Sequence, residues 1–149
     1  MTRVRSILIS TLLLTWPFVV EAESTRIDAY GFSILLPDGF AATQKDGGVQ
    51  LAQTGMRRTV QRLEIFTQDQ PFQTATRQFT LRDVAGFDRP FLFAIEPLGA
   101  GSGGTEYRLT AVGTDNTGQT VVMIAQDQLE IGTPNFAFAW DVLASYQPR

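Results

Sequence analysis

Apolar and polar positions fall in short runs broken by turn residues, the pattern of a sheet protein. Phe32 to Leu36 is almost wholly apolar and closes on Pro37-Asp38-Gly39, which predicts a strand ended by a tight turn. Lys45-Asp46-Gly47-Gly48 predicts a second turn, leading into a strand from Val49 to Ala52. Thr59 to Phe66 is rich in β-formers. Its charges Arg62 and Glu64 alternate with Leu63 and Ile65, so one face of this strand is predicted to be wet. Phe91 to Ile95 is apolar on both faces and predicts a strand at the centre of a covered sheet. Glu106 to Val112 alternates, with Tyr107, Leu109 and Ala111 facing one way and Glu106, Arg108 and Thr110 the other. Asp115-Asn116-Thr117-Gly118 then turns the chain into Thr120 to Ala125, its expected antiparallel partner.

Two segments carry helical spacing instead. After Pro71, the positions of Phe72, Ala75 and Phe79 favour a short middle helix between Asp69 and Thr80 over a strand. Near the end, Thr133 suits an N-cap and Pro134 the first helical position. Phe136, Ala139, Trp140, Leu143 and Tyr146 line one face of that helix, and Pro148 marks its stop. So much aromatic surface must lie on a sheet. The expected fold is α+β: an antiparallel sheet covered by a C-terminal helix and a candidate middle helix.

The run Tyr30-Gly31-Phe32-Ser33-Ile34-Leu35-Leu36-Pro37-Asp38-Gly39-Phe40 resembles the opening strand and turn of small exported PsbP-like domains. The closing Phe138, Trp140, Leu143, Ser145 and Tyr146 resemble the terminal helix of that group. The resemblance covers the two ends of the chain. It implies an α/β sandwich whose members bind proteins or assist assemblies, and it carries over no catalytic residue.

The first residues read as an export signal rather than as part of the fold. Arg3 and Arg5 precede an apolar run from Ser6 to Val20, and Val20-Glu21-Ala22 offers a cleavage site before Glu23. The run is short for a membrane span, contains Pro17 and has no basic stop-transfer flank. Residues 1–22 are therefore expected to be a signal peptide and 23–149 a single periplasmic or secreted domain, without an integral membrane segment. Beyond Ala22, ten basic and fourteen acidic side chains leave a net charge of −4, which disfavours nonspecific nucleic-acid binding.

The chain has no histidine and no cysteine, and Lys45 is its one lysine. That removes the side chains most used near neutral pH as base, nucleophile or soft metal ligand. No disulfide can form, so packing must hold the domain together. Zinc, copper and haem are disfavoured, and Asp115 to Gly118 lacks the spaced ligands of an EF-hand, so no cofactor is expected. The remaining catalytic resource is a carboxylate pair drawn from Glu64, Glu96, Glu106, Asp127 and Glu130.

Two stretches are candidates for partner binding. Gly99-Ala100-Gly101-Ser102-Gly103-Gly104 spells G-x-G-x-x-G, but the residues after it alternate like a strand. The helix that a dinucleotide fingerprint needs is missing, and a flexible hairpin loop able to enter a partner's cleft is expected. Arg57, Arg58 and Arg62 form the densest basic cluster. An edge strand using charge against aggregation is preferred there to a contact for an acidic protein patch or anionic glycan. The aromatics Phe87, Phe91, Phe93, Phe136, Phe138, Trp140 and Tyr146 are read as core.

Together these features favour a non-enzymatic periplasmic protein that binds another protein. The most concrete form is an immunity protein that blocks a secreted toxic enzyme, such as a cell-wall hydrolase. Gly99, Gly101, Ser102, Gly103 and Gly104, with Arg57, Arg58 and Arg62, are the candidate contacts. The alternatives are an accessory or assembly factor of a periplasmic envelope complex and a carboxylate-dependent glycan hydrolase.

Overall fold

The computed structural model describes residues 24–55, 61–73, 78–101 and 104–149. Ten strands and one helix lie within them, in two antiparallel sheets. The expected signal peptide and the arginines Arg57 and Arg58 fall outside the described residues.

The small sheet is made of β1 (Arg26–Ala29), β2 (Phe32–Leu35) and β10 (Gln147–Pro148), with β2 in the middle. The large sheet holds β3 (Phe40–Lys45), β4 (Gly48–Gln53), β5 (Gln61–Gln68), β6 (Thr80–Arg82), β7 (Phe91–Gly101), β8 (Gly104–Thr114) and β9 (Thr120–Leu129). Its order is β3-β4-β5-β9-β8-β7-β6. Most neighbours are joined by hairpins, but β9 slots between β5 and β8, and the chain leaving β5 must pass three strands to reach β6.

One face of the large sheet is the core face. Leu51, Leu63, Ile65, Met123, Ala125 and Leu109 point there and are shut off from solvent. Covering them are β2, through Phe32 and Ile34, and the helix α1 (Ala137–Ala144), through Ala139, Trp140, Val142 and Leu143. Aromatic rings tie the layers together. Phe32 stacks on Tyr146 at 4.9 Å, Phe87 meets both Tyr146 (5.3 Å) and Phe91 (4.7 Å), and Phe93 meets Trp140 edge-on at 5.3 Å. Gly113 lets Phe91 lie flat against β8, because a Cβ at that position would come within 2.5 Å of the ring. The aromatics read as core are buried or packed against the core.

At the end of α1, the Tyr146 hydroxyl donates to the buried Asp115 carboxylate at 2.8 Å. The same carboxylate accepts from the Thr117 backbone and hydroxyl and from the Gln119 backbone, closing the β8–β9 turn. Burial pushes the Asp115 pKa up. The hydrogen bonds from Thr117, Tyr146 and Gln119 outweigh that and hold it below its ordinary 3.8. Burial, and after it the facing carboxylate, keep the Tyr146 phenol well above its ordinary 10.

The α+β expectation is corrected. The molecule is predominantly strand, and its one helix among the described residues has eight residues. No middle helix is present in the described part of Asp69 to Thr80, whose residues 74–77 lie outside the description. Phe72 is used there as a tertiary contact, edge-on to Phe66 of β5 at 6.4 Å, rather than as one rung of a helical stripe. Near the C-terminus the predicted apolar face is buried as expected, but the helix starts at Ala137, not after Thr133. Asn135 explains the delay: its backbone N–H donates to Asp127 at 2.8 Å, and its side chain accepts from the Ala137 N–H at 3.0 Å. Nor is Phe91 to Ile95 central. β7 has only the three-residue β6 outside it, paired along Phe91 to Phe93, and Leu92 and Ile95 are exposed.

Candidate functional site

Among the described residues, neither helix nor second sheet lies on the far face of the large sheet, and its composition changes row by row. In the row nearest the β8–β9 turn, Phe66, Val122, Val112 and Leu92 are aligned across β5, β9, β8 and β7. Val122 is fully buried there, and Phe72 lies against Phe66. One row further, Gln50, Glu64, Ile124, Thr110 and Ala94 are aligned. The next holds Ala52, Arg62, Gln126, Arg108 and Glu96, and the last aligns Gln128 with Glu106 and Gly99. The face thus runs from an apolar end to a charged and amide-rich end.

Two shallow clefts indent the polar half. One, of about 100 Å³, is lined by Arg62, Glu106, Gln126 and Gln128. The other, of about 210 Å³, is lined by Gln50, Arg62, Leu63, Glu64, Ile124 and Gln126. Arg62 and Gln126 belong to both. Arg108 pairs with Glu96 at 3.2 Å, whereas Arg62 is exposed and makes no ion pair among the described residues. Its guanidinium is therefore available to a carboxylate on another molecule.

Of the sequence candidates, Arg62 and the glycine run are brought to the same end of the sheet. For Arg62 the edge-strand reading is corrected, because β5 lies between β4 and β9 and presents Arg62 on a sheet face. The described part of the glycine run is strand-paired. Gly99 pairs with Glu106, Ala100 with Thr105 and Gly101 with Gly104, which leaves Ser102 and Gly103 as the connection. Those two, like Arg57 and Arg58, lie outside the described residues. No helix follows Gly104; β8 does.

The carboxylates scatter. Glu64, Glu96 and Glu106 are on the open face, with β9 between Glu64 and Glu106. Asp127 points to the core side and is 1% exposed, and Glu130 lies past the end of β9. Among the described residues no cluster of three or more acidic side chains could hold a metal ion. A more apolar cavity of about 210 Å³, lined by Leu35, Leu36, Pro37 and Val142 beside Asp38 and Asp141, belongs to the covering layer and involves none of the candidates.

Sequence reading missed Ile131. Its side chain is 94% exposed, the highest exposure of any large apolar residue described. It follows β9 at the same end of the sheet as the glycine hairpin. An apolar residue stranded in Glu130-Ile131-Gly132-Thr133-Pro134, among turn formers and out of register with any periodic pattern, was the available signal.

Comparison with known proteins shows the family of the chain. The type six secretion immunity 3 domain, Tsi3, matches residues 33–147. Over 124 residues the chain is 32% identical to the immune protein Tsi3 of Pseudomonas aeruginosa, covering 83% of this chain and 81% of that protein. No PsbP-like family matches, so that resemblance is corrected: an aromatic-glycine strand start and a Pro-x-Gly turn are structural devices found in unrelated sheets. The match spans the core, the open face and the hairpin alike, and the chain belongs to the type six secretion immunity 3 family.

Proposed function

We propose that this protein protects its host by binding a toxin delivered by type VI secretion and covering that toxin's active site. Family membership is the observation that carries this reading. The export signal expected over residues 1–22 supports a periplasmic encounter, and a wall-degrading hydrolase is the toxin class suited to that compartment. The protein acts by occupancy rather than by chemistry of its own. Arg62, which lines two clefts of the sheet face, supplies a fixed positive charge, and the Gly99–Gly104 run brings little side-chain bulk. Arg57 and Arg58 are further candidate contacts by sequence.

A growth experiment tests this. If the proposal holds, a secreted toxin is encoded beside this gene; that toxin is directed to the periplasm of a susceptible bacterium, with or without this protein. The expected outcome is survival only when the full chain is present, and death when residues 2–22 are deleted and the protein stays in the cytoplasm. Equal killing with and without the full chain refutes the proposal.

A further inference from the structure

The seven-residue connection from β9 to α1, residues 130–136, is held near both ends. At its start, Gly104 of β8 packs directly on the backbone of Leu129 and Glu130. A Cβ on Gly104 would come within 2.7 Å of the Glu130 Cα, and its φ of +98° already excludes most other residues. At its end, the buried Asp127 carboxylate accepts from the Asn135 N–H at 2.8 Å. Gln61 completes the clamp, its side-chain amide reaching both Asp127 (3.4 Å) and the Asn135 carbonyl (3.4 Å). A carboxylate 1% exposed is costly to desolvate, and the contacts recorded for this one go to Gln61 and to the loop. Between these fixed points stands Ile131, 94% exposed.

Holding an exposed apolar side chain in one position lowers the ordering cost of binding, and an apolar anchor in a pocket is the usual centre of a protein interface. The site is continuous with the hairpin and adjoins the polar face. Resting on the immunity reading, we propose that Ile131 is the preorganised apolar anchor of the interface, seated in an apolar pocket of the toxin. The Asp127–Gln61–Asn135 clamp is its positioning device, and the polar side chains around Arg62 form the surrounding rim.

Binding of the purified toxin encoded beside this gene to wild-type protein, Ile131→Ser, Ile131→Val and Asp127→Asn tests the proposal. Ile131→Ser is expected to weaken binding about thirty-fold or more, chiefly through faster dissociation, with an unchanged melting temperature because the side chain is in solvent. Ile131→Val should stay within about five-fold of wild type. Asp127→Asn should bind more weakly while residues 130–135 exchange amide hydrogens faster. Ile131→Ser binding within about three-fold of wild type overturns the anchor while leaving the immunity reading intact. Wild-type protein that does not bind removes the immunity reading and the anchor with it.

Discussion

Tyr146 and Asp115 make the buried polar contact that ties the end of α1 to the β8–β9 turn. Tyr146→Phe removes one donor from that carboxylate and should cost about 1–3 kcal/mol, read from denaturant unfolding. The contact also has a pH signature. A carboxyl held below 3.8 in the folded state stabilises the fold above that pH, and the contribution is lost as pH falls through the folded value. Wild-type melting temperature should therefore drop as pH falls from about 5 to about 3, with a shallower drop in Tyr146→Phe, where Asp115 lies closer to its ordinary value. An equal slope in both proteins would show that the hydroxyl does not hold Asp115 down. Gly113→Ala makes the matching test in the apolar core. Its new Cβ collides with the Phe91 ring, and a loss of about 1–3 kcal/mol is expected.

Among the elements, β5 is pivotal: one face fills the core through Leu63 and Ile65 and the other carries Arg62 and Glu64. Leu63→Ala should lose about 2–5 kcal/mol of stability and, with it, all function. Arg62→Ala should leave stability within about 0.5 kcal/mol and act on binding alone, so the two variants separate scaffold from interface. This alternation was readable in the sequence because it is local: charged and apolar residues take turns, and Asp-Gly and Pro-Asp-Gly sequences punctuate the strands. The order of the strands was not readable. Nothing local says that β9 inserts beside β5, which is what moves Arg62 from an expected edge to the interior of a sheet. The same non-local pairing leaves Leu92 and Ile95 beside a three-residue edge strand, although their apolar run looked central. In the described part of the Asp69 to Thr80 stretch, Phe72 makes a long-range contact with Phe66 of β5 instead of starting a helix. Of the site, Arg62 and the glycine run were legible as chemistry, whereas Ile131 became conspicuous only once its exposure was seen.

As a whole, the described residues form a large sheet covered on one side by β2 and α1, with Arg62 and the paired glycines towards one end of the other side. Packing alone sustains it, since the chain has no cysteine. If the proposed function holds, Arg62 steers association: Arg62→Glu should lower the on-rate about ten-fold or more at low salt, with the difference shrinking as ionic strength rises. A salt-independent rate in both proteins would remove that role. The most direct measurement of the central claim is titration of the secreted toxin encoded beside this gene with the purified mature protein, following the toxin's enzymatic activity. Loss of activity that is complete at one equivalent, with no recovery on adding more substrate, is the predicted result. Full activity in the presence of excess protein would contradict it.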